Sequence, residues 1–158
     1  MIISIKDLSR IRKENRKKTI VFGGGVFDVF HPGHVRAFKK LRTYGDIVVV
    51  GIASDKRVKE LKGVKRPVLS EQERREIVDA IKYVDFVVQM PDPSRLAPIP
   101  GMSILKSLRP DIFVTVDKGW TKHCRNIESL GVKLKIVKRI HPVSSTSIIE
   151  RILRKYKD

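Results

Sequence analysis

Two histidines stand three residues apart in the run Gly23-Gly24-Gly25-Val26-Phe27-Asp28-Val29-Phe30-His31-Pro32-Gly33-His34. A Pro-Gly turn between His31 and His34 aims both imidazoles at one point in front of the helix that begins there. Glycines at a strand end let backbone amides approach a phosphate closely, and a helix N-terminus adds the positive end of its dipole at the same spot. Charge developing on a phosphoryl group would there meet two preorganised donors. His34, one residue past Gly33, is expected to face solvent and phosphate rather than the core. Metal coordination is the weaker reading, because no third Cys, His or carboxylate accompanies the pair at a familiar spacing. A second polar run, Ser144-Ser145-Thr146-Ser147, lies near the end of the chain. A helix cap needs one hydroxyl, so an unbroken run of them favours phosphate binding by hydroxyls and free amides together. Trp120, the only tryptophan, is as well suited to core packing as to stacking a base or covering an acceptor. His123 and His141 show no partner pattern and receive no role, and Cys124 reads as an inert thiol.

The elements that must position these groups are legible as alternating patterns. Thr19-Ile20-Val21-Phe22 is β-branched and aromatic, and Ile47 to Ala53 is a nearly continuous apolar run, as buried parallel strands should be. Between them Val35, Phe38 and Leu41 follow helical spacing over residues 33 to 44, with Gly45-Asp46 as the stop. Ser70 and Glu73 form a capping box opening a helix to about Tyr83, followed by a strand from Val84 to Val88. Helix Ser103 to Leu108, strand Asp111 to Val116, helix Lys122 to Leu130, strand Val132 to Val137 and a last helix from near Ser144 continue the alternation. The expected fold is α/β, a doubly wound parallel sheet of about five strands with helices on both faces, and ligands bind such sheets beyond the carboxyl ends of the strands. Residues 1–18 read as an N-terminal helical lead-in carrying Ile5, Leu8 and Ile11, and residues 19–158 as one domain. Four prolines between Met90 and Met102 mark an exposed loop with the makings of a lid.

The chain has 158 residues, enough for one core, with 41% hydrophobic and 32% charged residues, which excludes wholesale disorder. Its longest apolar run falls far below the roughly 20 residues a bilayer helix needs, and no signal-peptide pattern opens it, so a cytoplasmic protein without a membrane partner is expected. Thirty-four Lys and Arg against 17 Asp and Glu leave a formal charge of +17, a field that draws anionic partners. Two asparagines, two glutamines and one cysteine fit a thermophile's charged surface equally well. A noncatalytic nucleic-acid-binding module is the alternative of a different class, but such a module does not need two histidines at one helix start, and nucleic acid is not the expected partner.

Gly25-Val26-Phe27-Asp28-Val29-Phe30-His31-Pro32-Gly33-His34 closely resembles the G-x-F-D-x-x-H-x-G-H signature of the cytidylyltransferase-like nucleotidyltransferases, a family built on a Rossmann-type sheet. The resemblance continues through Ser54-Asp55, the Lys59-x-x-Lys62-Gly63-x-x-Arg66-Pro67 loop, Glu73-Arg74, Tyr83-Val84-Asp85 and Ser144-Ser145-Thr146. It implies that His31 and His34 stabilise the transition state at a nucleotide α-phosphate while an acceptor phosphate attacks in line and pyrophosphate leaves with Mg²⁺. It implies further that Lys62 and Arg139 serve catalysis at the phosphates. Gly24, Gly25, Val26, Phe27, Asp28, Gly33, Asp117, Ser144, Ser145 and Thr146 would bind nucleotide, and Lys59, Arg74 and Trp120 would meet the acceptor; no resident metal is implied. Val116 stands where the family often has a glycine in the base pocket, and Pro142 where some members have one.

Within the family, Ile3-Ser4-Ile5-Lys6-Asp7-Leu8, the Lys-Gly-x-x-Arg-Pro loop and Ser145-Thr146-Ser147-Ile148-Ile149 look most like the heptose-phosphate adenylyltransferase domain, pointing to ATP and a sugar phosphate. Glycerol-3-phosphate cytidylyltransferases and archaeal FAD synthetases, which adenylylate FMN, share enough of these features to stay as alternatives. The expected activity is transfer of a nucleoside monophosphate from ATP or CTP to a phosphorylated small molecule, by a monomer or a homodimer.

Overall fold

The computed structural model describes residues 1–95, 99–139 and 141–157. Six strands, β1 (Ile2–Ile3), β2 (Ile20–Gly25), β3 (Ile47–Ile52), β4 (Phe86–Gln89), β5 (Ile112–Thr115) and β6 (Lys133–Ile136), form one sheet in the order β1-β4-β3-β2-β5-β6. Every pairing is parallel, with Ile20 opposite Ile47 and Val21 opposite Ile112 setting the register around β2. Among the described residues seven helices accompany it: α1 (Leu8–Glu14), α2 (Pro32–Arg42), α3 (Asp55–Lys62), α4 (Glu71–Asp79), α5 (Pro100–Leu108), α6 (Cys124–Glu128) and α7 (Ser145–Lys155), with 3-10 turns at Ile5–Asp7 and Lys118–His123.

The two sides of the sheet follow from the period of two along its strands. Ile20, Phe22, Ile47 and Val49 join Leu8, Ile11, Ile104, Leu105, Leu108 and Ile127 in one core layer. Val21, Val48, Val50 and Ile52 join Phe38, Leu41 and Val78 in the other. A central strand covered on both faces reads as an unbroken apolar run, and all six residues of β3 are buried. From β2 the chain builds outward through β3 to β4, then returns across β2 to lay down β5 and β6. That reversal leaves a crevice beyond the carboxyl ends of β2 and β5, the place where doubly wound sheets hold ligands.

The fold class stands as expected, with differences in detail. The sheet has six strands, because Ile2 and Ile3 pair with Val87 and Val88 as an added edge. The lead-in is therefore stitched into the domain: Leu8 and Ile11 are buried, and Arg12 reaches Asp111 at 2.7 Å, whose same oxygen accepts the Ile20 amide at 2.7 Å. Lys59 and Lys62 lie on α3, a helix, rather than on a loop. The Ser70–Glu73 capping box is formed, with both side chains bonded to the opposite backbone amides. Of the proline-rich stretch, residues 96–98 lie outside the described residues; residues 90–95 and 99 are irregular, and α5 begins at Pro100.

Candidate active site

A cavity of about 550 Å³ opens over the end of β2 at Gly23, Gly24 and Gly25 and over the end of β5 at Thr115, Val116 and Asp117. Into it the structure brings Val26, Phe27, His31, Gly33, His34, Lys62, Arg139, Ser144, Ser145 and Thr146. A side chain on Gly25 would meet the Phe27 ring at 2.8 Å, so the glycine is the seat of that ring.

The histidine pair is built by the start of α2. His31 is the N-cap residue, Pro32 occupies the first helical position, where its missing N–H costs nothing, and the imidazole Nδ1 of His31 accepts the Gly33 amide at 3.1 Å. Accepting there makes Nδ1 a lone pair and puts the ring proton on Nε2. The His34 ring stacks on His31 with centroids 3.9 Å apart and lies edge-on to Phe27 at 5.3 Å. Contrary to the expectation of a solvent-facing side chain, His34 is half-buried, with Phe30 on another side at 5.2 Å and Nδ1 buried without a partner among the described residues. Burial, then the neighbouring His31 and Arg139, pushes its pKa down from 6.5 to about 4. Burial first, then His141 and Arg139, also lowers His31. Both rings are therefore neutral near pH 7, suited to donating hydrogen bonds and not to carrying charge. Gly33 belongs to the same device, since a Cβ there would come within 2.9 Å of the His31 ring.

The amides at the start of α2 are not free, which alters the anion site expected there: Gly33 N–H goes to His31 Nδ1 and His34 N–H to the His31 carbonyl at 2.9 Å. The free donors come from α7 instead. Ser144 caps that helix by accepting the Ser147 amide at 3.1 Å, and Ser147 Oγ bonds back to the Ser144 carbonyl at 2.9 Å. Ser145 Oγ donates to the backbone carbonyl of Asp28. Three hydroxyls are thus occupied, two within the first turn and one across the fold, and among the described residues the Thr146 hydroxyl and the Ser145 and Thr146 amides are without partners. Two free amides, one hydroxyl and a helix dipole have the chemistry to receive an anion.

Not every residue singled out in the sequence reaches the cavity. Asp28 is buried and accepts from the amides of Val68 and Leu69 and from Arg66 Nε at 2.7 Å. Burial would raise its carboxyl, but those amides and Arg66 outweigh it and hold the pKa below the ordinary value. Arg74 is fully buried, donating to the carbonyls of Leu69, Val26 and Ala53 and to the Asp55 carboxylate at 2.6 Å; it braces the turn from behind. Lys59 is exposed and lines neither cavity. Arg66 and His141, which were given no role, do line the first cavity. His141 Nδ1 accepts the Val143 amide at 3.1 Å, the local fold that His31 also uses, and its place two residues after Arg139 was the available signal.

Trp120 lies in a second cavity of about 370 Å³ behind the same wall: Gly24, Gly25, Val26, Thr115, Val116 and Asp117 line both. Its ring stands edge-on to Phe113 at 4.8 Å, over Gly101, where a Cβ would come within 3.0 Å of the indole. Phe22, Phe113 and Met90 extend that apolar floor, and Arg57, Lys122 and His123 supply basic groups.

The chain is similar to known proteins along most of its length. The family model described as cytidylyltransferase-like matches residues 22–151. Bifunctional protein HldE of Syntrophotalea carbinolica is 36% identical over 98% of this chain and 31% of its own length. The HldE of Geobacter sulfurreducens is 35% identical over 88% of this chain and 28% of its own. The chain thus spans under a third of the length of the curated relatives it matches. The lipopolysaccharide core biosynthesis protein of Thermoplasma volcanium superposes with a TM-score of 0.64 at 26% identity, covering 77% of this chain and 96% of that one. A pantoate-beta-alanine ligase of Francisella tularensis shares the fold, with a TM-score of 0.63 at 16% identity, covering 100% of this chain and 78% of that one. With the matched segment running through both the histidine turn and the start of α7, the chain belongs to the cytidylyltransferase-like family.

Proposed function

We propose that the chain transfers AMP from ATP to a phosphorylated sugar of the heptose-phosphate kind, releasing pyrophosphate. The observation that carries this reading is the pair of cavities on either side of one glycine-rich wall. The first, with its paired imidazoles, Lys62, Arg139 and the α7 amides, suits a triphosphate. The second, with an aromatic floor and basic groups, suits a sugar bearing a phosphate, the sugar's C–H face lying against Trp120. The match to HldE proteins supports the adenylyl and sugar choices over glycerol phosphate or FMN.

In the transfer, an oxygen of the acceptor phosphate forms a bond to the α-phosphorus as the bond to the bridging oxygen breaks, and pyrophosphate leaves with that electron pair. A phosphate monoester has a second pKa of about 6 and is already ionised at neutral pH, so no base is required. Catalysis reduces to holding the reactants in line and meeting charge on the phosphoryl oxygens. Neutral His31 and His34 meet it as N–H donors, while Lys62, Arg139 and Thr146 hold the β and γ groups. Mg²⁺ would come with the triphosphate and neutralise part of its charge. Asp117 is the one carboxylate facing the cavity among the described lining residues, which suits an ion held chiefly by phosphates.

Mass spectrometry of the product formed from equal ATP and CTP with Mg²⁺ and a panel of sugar 1-phosphates alongside FMN tests this. An ADP-sugar is expected. A CDP product, or adenylylation of FMN in preference to every sugar phosphate, overturns it.

A further inference from the structure

We propose that Arg66 is a phosphate-binding residue of the first cavity, and that buried Asp28 is the residue that positions it. The inference rests on the nucleotidyltransferase reading of that cavity and adds to it a cation that the sequence left without a role. Asp28 sits at the middle of the histidine turn between Phe27 and Val29, whose φ angles of 55° and 45° place two side-chain-bearing residues in the left-handed region. Its side chain is 0% exposed. The carboxylate accepts from Val29 N–H at 3.1 Å, Val68 N–H at 3.0 Å, Leu69 N–H at 2.9 Å and Arg66 Nε at 2.7 Å. Those bonds occupy it with chain segments 29 and 66–69, and it lines neither cavity.

Arg66 does line the first cavity, four residues after Lys62, with a side chain 11% exposed. Asp28 holds Nε, and among the described residues no hydrogen bond engages either terminal nitrogen of Arg66. A guanidinium is planar, so fixing Nε fixes the plane in which the remaining donors lie, and a fork held in this way matches phosphate oxygens. A pair serving only to fasten the loop would leave no reason for an arginine over a lysine or an amide. Asp28 also links the anion-facing segments, because its backbone carbonyl accepts the Ser145 hydroxyl at the start of α7. Its substitution should therefore act on ligand binding through Arg66.

Calorimetric titration of the full chain with tripolyphosphate, without acceptor, separates this claim from the identity of the acceptor. Arg66→Gln should bind at least tenfold more weakly than wild type, and Arg66→Lys, which keeps charge without the fork, should also be weaker. Asp28→Asn should weaken binding in the same direction, and the double variant should be no weaker than Arg66→Gln alone, since one residue acts through the other. Melting temperatures on the same preparations identify the folded fraction. Unchanged tripolyphosphate affinity in folded Arg66→Gln or Arg66→Lys, strictly additive losses in the double variant, or no binding by wild type each overturns the proposal. Loss of binding as described alongside failure to use any sugar phosphate would sink the acceptor reading and leave the Arg66 assignment standing.

Discussion

His31 and His34 are kept neutral by different means. A backbone amide selects the tautomer of His31, whereas burial between Phe27, Phe30 and His31 keeps His34 neutral. In the proposed transfer, replacing His34 by alanine would remove a donor aimed at charge that grows in the transition state, and turnover should fall about 10² to 10³-fold. Because the ring is half-buried, the variant should also lose about 1–2 kcal/mol of stability, read as a drop in melting temperature. The pH dependence carries a separate signature. The folded ring resists protonation down to about 4 while an unfolded histidine titrates near 6.5. Between those values the unfolded chain binds more protons, so this contribution is fully present above about 6.5 and is lost as pH falls toward 4. Melting temperature should therefore fall less steeply over that range in His34→Ala than in wild type; equal slopes would contradict the burial argument. Spacing made the histidines legible, but spacing does not distinguish a carboxylate that faces a ligand from one that ties a loop. Asp28 and Arg74 were accordingly read as ligand contacts, while the structure buries both beneath the turn.

Among the elements, the start of α7 separates hydroxyls held by the fold from one left open to the cavity within one hydroxyl run. Ser144 holds the helix and Thr146 faces the cavity with its hydroxyl unpartnered among the described residues. Ser144→Ala should cost about 1 kcal/mol of stability, the usual loss for a cap. Thr146→Ala should leave the melting temperature nearly unchanged and weaken ATP binding several-fold, the size of one lost hydrogen bond. Titrating both variants with ATP and melting both checks the split, and a reversed pattern would reassign the two hydroxyls. The run was visible in the sequence, its partition was not, because each partner lies a turn away or across the fold at Asp28. Two elements escaped the sequence for plainer reasons. β1 is two residues long and carries no periodic signal. In α3, Asp-Lys-Arg-Val-Lys-Glu-Leu-Lys buries only Val58, so no apolar stripe announces it.

At the scale of the molecule, the sheet's parallel order follows from strands that are apolar on both faces and helices that are apolar on one. That part of the fold could be read directly. The crevice then follows from where the chain reverses at β2, and the glycines and histidines fall there because they end the strand from which it reverses. What the sequence could not supply is the second cavity, whose floor gathers Phe22, Met90, Phe113 and Trp120 from four separate segments. The net charge of +17 favours any anionic ligand and so does not choose between phosphosugars and nucleic acid. The two cavities across one wall do bear on that choice, and acceptor-dependent pyrophosphate release tests them most directly. Wild type with Mg²⁺ and ATP should release one pyrophosphate for each sugar phosphate consumed, and none when the acceptor is left out. Absence of pyrophosphate with every sugar phosphate, glycerol phosphate, phosphocholine, phosphoethanolamine and FMN tried, with either ATP or CTP, would contradict the account.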